Sequence, residues 1–307
     1  MNFSWNNGDF DIDLSSGAST AKGPQHEVNQ DQYLFAELKQ VLEVVDSSLD
    51  LETADKDQTC GAVFIVADGV GGGACGEIAS REVLLRASAQ LVEYSACKPL
   101  PWNDPPAMRE VLFAIVDELQ HHLEKLARGQ GSRTMGTTLS LLCLAGETAF
   151  LVYVGDSRCY RLSSGSELDQ ISHDQTEAQR LIDEEAVPVS VAEATSGHIL
   201  LEALTGYEHE VNPGWWYGPA RCGDRFLMCT DGVTGFVKPA DLQQILAMAD
   251  EPEQIAQRLV SSAQAAKTHD DATALVIKLM SRPAGQKKVL STSTVRRDSI
   301  LEETQDL

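Results

Sequence analysis

The chain has 307 residues, 43% of them hydrophobic, enough for one large domain or two small ones around a real core. Its 24 basic and 46 acidic residues give a formal net charge of −22, which argues against nucleic acid or an anionic membrane surface as the main partner, because both need a basic footprint. No run reaches the roughly 18 apolar residues of a membrane span, and the acidic start "MNFSWNNGDFDIDL" has no apolar signal-peptide core.

Residues 1 to 16 read as a polar arm. "QYLFAELKQVLEVV" (32 to 45) reads as a strand leading into a ribbon, followed by an acidic loop over 46 to 58. "GAVFIVA" (61 to 67) is a short, wholly apolar strand that stops at Asp68 and opens into glycines. A helix follows over 77 to 93, with Ile78, Leu84, Leu85, Leu91 and Val92 on its apolar face. Asp104 with Pro105 starts a second helix, buried through Val111, Leu112, Ile115, Leu119, Leu123 and Leu126.

From residue 135 the period changes. "MGTTLSLLCLA", "TAFLVYVGD" and "SRCYRLSSG" read as consecutive antiparallel strands. A polar stretch, 170 to 212, holds one helix near 176 to 185 and reads as a mobile flap. Trp215 and Trp216 are expected to pack an edge strand. "DRFLMCT" is a strand ending at Asp231, helices begin near Pro239 and Pro252, and "ATALVIKLM" is the last strand. Residues 281 to 307 are polar and weakly periodic, a tail in which Ser299 of "VRRDSI" resembles a basophilic kinase site.

Gly71, Gly73 and Gly76 fit G-x-G-x-x-G, but Asp68 before them would repel a pyrophosphate and no second strand ends in an acid at the expected spacing. A single Asp-Gly turn is ordinary turn chemistry. The set of acids at strand ends says more. Asp68 and Asp231 stand where strands exit, Asp31 and Asp270 where strands enter. In an antiparallel sheet those exits and entrances share one edge, so four carboxylates converge. Divalent cations remove the repulsion between them, and oxygen donors suit Mg2+ or Mn2+.

The seven cysteines form no C-x-x-C and leave one unpaired, as in a reduced, cytoplasmic protein without a zinc site. His121 and His122 are expected on a solvated helix face. His173 and His269 each precede an aspartate, as in HD hydrolases, but those folds are all-helical.

In order along the chain, "NQD" (29 to 31), "VADGVGG" (66 to 72), "GEIAS", "GTT" (136 to 138), "VGDSRCYRL" (154 to 162), "TDGVTG" (230 to 235) and "DDAT" (270 to 273) resemble the metal-dependent serine/threonine protein phosphatases of type 2C. The resemblance runs from Gly23 to about Leu279. It implies an α+β fold, a four-layer α-β-β-α sandwich of two antiparallel sheets flanked by helix pairs, with a catalytic domain over 17 to 280. It also implies two Mn2+ or Mg2+ ions and a third, weaker one.

By motif match, Asp68 bridges the metals, Gly69 offers its carbonyl, Asp231 and Asp270 hold the other ion, and Asp31 orients water. Asp156 is the candidate for the third ion, and Thr273 is structural. Gln30 stands where the family often has Glu, and His26 where an Arg often holds substrate phosphate, with Lys22 as its rival. Val70 and Gly73 occupy the two places where members carry a histidine considered as general acid. The implied reaction is hydrolysis of phosphoserine or phosphothreonine in proteins, opposite a serine/threonine kinase, by a monomer. A non-catalytic phosphoprotein-binding relative and a hydrolase of small phosphoesters are the competing readings.

Overall fold

The computed structural model describes residues 2–4, 12–41, 57–70, 74–97, 100–130, 134–165, 167–196 and 199–281. Residues 46–56 of the expected acidic loop, Gly71, Gly73 and the tail beyond Ser281, with Ser299, lie outside the described residues, and the last two residues of that expected loop, Asp57 and Gln58, instead open the strand Asp57–Ala67.

Two sheets face each other. The first has five strands in the order β12 (Gly214–Pro219), β8 (Thr148–Val154), β7 (Leu139–Ala145), β4 (Asp57–Ala67), β3 (Gln32–Val41). The second has six: β1 (Asn2–Ser4), β2 (Ile12–Ala21), β14 (Ala272–Ser281), β13 (Arg225–Cys229), β9 (Arg158–Leu162), β10 (Leu168–Gln170). Their neighbouring strands all pair antiparallel. A small third sheet joins β11 (Leu204–Thr205), β6 (Gly136–Thr137) and β5 (Gly69–Val70).

The unbroken apolar runs have a simple cause: both faces of the central strands are covered. Side chains alternate along a strand. Val63, Ile65 and Ala67 of β4 therefore point to one cluster, shared with α1 (Ala74–Cys97) and α2 (Pro105–Gln130). Ala62, Phe64 and Val66 point to the cluster between the sheets. On the other sheet, Phe226 and Met228 of β13 enter that same inter-sheet layer, while Leu227 and Cys229 face α6 (Pro239–Leu246) and α7 (Pro252–Ala265). The result is the four-layer α-β-β-α sandwich.

Local signals place the helices. Asp104 Oδ1 accepts from the Ala107 amide at 3.2 Å, capping α2, and proline occupies the first turn of α6 and α7. Four departures from the sequence reading are instructive. The strand β2 starts at Ile12, inside the stretch assigned to the polar arm, because Ile12 and Leu14 are buried between the sheets. Leu85 and Val92 of α1 face outward at 56% and 62% exposure, whereas the small residues Ala79 and Ala87 take the buried stripe with Val83 and Leu91. Strand β9 does not pair with β8. It crosses to the other sheet and pairs with β13, turned there by Gly155 at φ +100°. The flap stretch holds α3 (Glu177–Asp183) as expected, and also a second helix, α4 (Val189–Ser196).

Trp215 on edge strand β12 stacks on Phe150 with ring centroids 6.1 Å apart, and Trp102 closes on Phe150 from 6.3 Å. Phe150 thus joins edge strand, sheet and α2 loop. Phe150→Ala should cost about 3–5 kcal/mol through lost burial and a cavity. It should lower the urea midpoint with the m-value unchanged, and a shift of less than about 1 kcal/mol would show that the aromatic cluster does not carry this layer.

Candidate metal centre

Five aspartates meet at one end of the two sheets. Asp31 immediately precedes β3, and Gln32 pairs with Ala67, so Asp31 lies across from Asp68 at the exit of β4. Asp231 opens the short helix α5 (Asp231–Thr234) just after β13, and Asp270 lies two residues before β14, the antiparallel neighbour of β13. Asp156 sits in the turn where the chain leaves β8 for β9. The structure brings together Asp31, Asp68, Asp156, Asp231 and Asp270, all of them named from sequence. The charges of the other four all act on Asp68.

Burial and mutual repulsion make four of them unusual carboxylates. Burial, then the charges of Asp31, Asp231, Asp156 and Asp270, push Asp68 well above the ordinary carboxylate range. Asp31 is pushed up to about 8 by burial, against the hydrogen bonds of Thr273 and Thr230. Asp156 is pushed up to about 8 by burial and by Asp231 and Asp174, with Arg158 opposing. Asp231 is raised by burial and by Asp270. A protein that keeps such groups ionised at neutral pH needs positive charge among them.

The donor set fits a divalent cation. Oδ1 of Asp31 and Oδ1 of Asp231 are buried and have no hydrogen-bond partner, and a buried carboxylate oxygen without a donor is costly unless something positive meets it. All the converging side-chain groups are oxygens, the preference of Mg2+ and Mn2+. Backbone also approaches closely here. A Cβ on Gly69 would fall 2.4 Å from the Gly76 carbonyl oxygen, and one on Gly76 would fall 2.2 Å from Gln30 Oε1. Those two glycines let the turn after Asp68 close against Gln30, whose carbonyl accepts from the Gly69 amide at 3.2 Å.

A ring of polar contacts fixes Asp31. Thr230 Oγ1 donates to Asp31 Oδ2 at 2.8 Å and accepts from the Thr273 amide at 3.0 Å. Thr273 Oγ1 meets Thr20 Oγ1 at 2.7 Å, Thr20 accepts from Asn29 at 2.8 Å, and Asn29 Oδ1 accepts from the Asp31 amide at 3.0 Å. The circuit crosses both sheets. Asp68 is held by backbone: its amide donates to Thr138 Oγ1 at 3.0 Å and its carbonyl accepts from the Thr138 amide at 2.8 Å. That gives "GTT" and Thr273 their structural purpose.

Asp271 is a residue that sequence reasoning missed. Its carboxylate accepts from the Gly23 amide at 2.6 Å, the Gln30 amide at 2.7 Å and His26 Nδ1 at 2.8 Å. His26, Asp270 and Asp271 offer ligand atoms within 4.8 Å of one another. Asp271 is nonetheless spent on the loop that carries Lys22, His26 and Gln30, so this trio is a hydrogen-bond hub. Lys22 Nζ donates to the carbonyls of Gly23 (3.1 Å) and His26 (2.6 Å). His26 keeps only Nε2 for another group. The signal in sequence was the doubled aspartate of "DDAT", which does not say which acid faces which way. Arg158 and Asp174 were missed as well.

Histidines elsewhere are accounted for locally. His121 is solvated and bonds Asp117 O on its own helix, whereas His122, expected on the same exposed face, is half-buried against Glu82 at 3.3 Å. His173 pairs with Asp183 at 2.7 Å, and His269 meets Phe236 edge-on. The thiols of Cys143, Cys159 and Cys229 are buried and raised, so they are not nucleophiles.

Comparison with known proteins agrees with this geometry. The family model described as Protein phosphatase 2C matches residues 50–269. The serine/threonine protein phosphatase PstP of Mycobacterium tuberculosis is 33% identical over 237 residues, 77% of this chain but 44% of its own length. This chain therefore spans less than half of that relative. The serine/threonine phosphatase Stp of Listeria monocytogenes is 27% identical over 218 residues, 70% of this chain and 83% of its own. The crystal structure of the PstP catalytic domain, in complex with two manganese ions, superposes with a TM-score of 0.67 at 29% identity, covering 88% of this chain and 99% of that one.

The raised carboxylates fix the sign of a pH effect. In metal-free protein the folded state keeps protons on Asp31 and Asp156 up to about 8, while the unfolded chain releases them near the ordinary value of 3.8. The contribution of these two groups to stability is then greatest at low pH and declines as pH rises toward about 8, by up to about 1.4 kcal/mol per pH unit for each. Urea unfolding in chelator at pH 5, 6, 7 and 8 should show this decline, and Asp31→Asn should flatten it. A wild type whose slope equals that of Asp31→Asn would show that Asp31 folds already ionised.

Proposed function

The chain belongs to the protein phosphatase 2C family, and from that premise we propose that it is an Mn2+- or Mg2+-dependent phosphatase that hydrolyses phosphoserine and phosphothreonine in proteins. The observation that carries this reading is the pair of buried, partnerless carboxylate oxygens on Asp31 and Asp231 inside a convergence of five aspartates. Asp68, Asp231 and Asp270, with the Gly69 carbonyl, would hold two ions, Asp31 and Gln30 would contact their waters, and Asp156 would serve a third. Ions bound there supply charge neutralisation, a water of lowered pKa and polarised phosphoryl oxygens.

The chain's own groups do the rest. Asp31, clamped through Oδ2 by Thr230, keeps Oδ1 free to accept a proton from an attacking water and set its direction. His26 Nε2 is aligned by the bond from Nδ1 to Asp271 and donates to a substrate phosphate when the ring carries both protons. Lys22 contributes its charge while bracing the loop. With the buried cysteines inert, direct transfer to water is the economical route, and the leaving alkoxide takes its proton from solvent.

The remaining features follow from the same reading. The catalytic domain takes in all of β2 and β14, so it runs over 12–281 rather than 17–280, and the enzyme acts as a cytoplasmic monomer on products of serine/threonine kinases. No helix among the described residues is long and apolar enough to cross a membrane.

Phosphate release from a phosphothreonine peptide should require Mn2+ or Mg2+ and vanish on chelation. Asp68→Asn and Asp231→Asn should each reduce kcat at least about a hundredfold, since each removes ligand charge at the reacting centre. Undiminished turnover after exhaustive chelation, or near-wild-type rates in both variants, would overturn the assignment.

A further inference from the structure

Arg158 is a basic side chain built into the acid cluster yet unused by the mechanism above. It lies two residues beyond Asp156 in sequence and opposite Cys229 in register, two residues before Asp231. Three of its five N–H groups are committed. Nε donates to both oxygens of Asp174 at 3.0 and 2.8 Å, Nη2 donates to Oδ2 at 2.6 Å, and Nη1 reaches the Tyr160 hydroxyl at 3.2 Å. Asp174 is buried and takes a further bond from Gln170 at 2.9 Å. With these bonds made, Asp174 fixes where the charge of the fork sits. What remains is its field.

That field has a definite sign at the site. Arg158 lies two residues from Asp156 and, across the pairing of β9 with β13, opposite the residue two before Asp231, with Asp174 bound to its guanidinium at 2.6 Å. A cation approaching those acids is repelled by Arg158 and attracted by Asp174.

We propose that Arg158 and Asp174 are a charge-setting pair, which fixes how tightly a divalent cation is held beside Asp156 and Asp231. The two opposite charges, bound to each other beside these acids, hold that affinity at an intermediate value. Neither residue is a metal ligand; both are positioning residues acting through Asp156 and Asp231. The inference rests on the reading of these acids as a metal centre.

A purely structural role and a charge-setting role predict different things. Damage to packing weakens cation binding whichever partner is changed. Charge removal moves it in opposite directions. Calorimetric titration of Mn2+ into the metal-free full chain reads this without turnover. Asp174→Asn should weaken the weakest resolved Mn2+ event by at least about threefold, and Arg158→Gln should tighten it by a similar factor. The double variant should return to within about twofold of wild type, because the two effects offset.

Breaking this half-buried pair risks unfolding, so Arg158→Lys is the control: it keeps the charge, loses the fork, and should stay within about twofold. Shifts of the same sign in Asp174→Asn and Arg158→Gln, or no shift in Asp174→Asn, would overturn the proposal. A tenfold loss in Arg158→Lys would do so too. A wild type that binds no Mn2+ at all would instead remove the metal-centre reading beneath it.

Discussion

Repulsion among buried carboxylates is the constraint around which this end of the molecule is organised. Asp31, Asp68, Asp156 and Asp231 are withdrawn from water together beside the more exposed Asp270, and burial and proximity both oppose the ionisation of those four. A fold tolerates that only if every acid is held by rigid backbone and the excess charge has somewhere to go. The threonine circuit through Thr20, Thr273 and Thr230 and the amide bonds around Asp68 supply the first condition. In the proposed reading, divalent cations at the partnerless oxygens of Asp31 and Asp231 would supply the second.

The sandwich explains why the acids can be so close. Asp68 and Asp31 come from the five-stranded sheet, Asp231 and Asp270 from the six-stranded one. The sheets pack through Phe64, Phe226, Leu275 and their neighbours, so the apolar layer sets the gap that the polar end inherits. Chemistry at the edge is therefore paid for by packing in the middle. Glycine permits the closest approaches: Gly69 and Gly76 face each other, and a Cβ on Gly232 would fall 1.8 Å from the Asp271 carbonyl oxygen.

The loop between β2 and β3 shows how one buried acid organises others without reacting. Asp271 gathers Gly23, His26 and Gln30, and Lys22 braces the same loop through its own carbonyls. The loop carries the side chains closest to an incoming phosphate in the proposed mechanism, so its shape depends on Asp271. Arg158 and Asp174 do the equivalent work on the opposite flank, tying the turn that bears Asp156 to the start of the flap stretch.

What the sequence determined by itself was whatever is written in local pattern. Wholly apolar runs such as "GAVFIVA" meant strands covered on both faces, and an acid at each strand end meant convergence, because antiparallel exits and entrances share an edge. Tertiary structure decided whatever depends on register between distant segments. It separated Asp271 from Asp270, sent β9 to the other sheet, gave Arg158 its partner Asp174, and chose Ala79 and Ala87 over Leu85 and Val92 for the buried stripe of α1. The physical reason is that burial has a period a single segment can display, whereas the partner of a buried charge is fixed only when two remote strands are laid side by side.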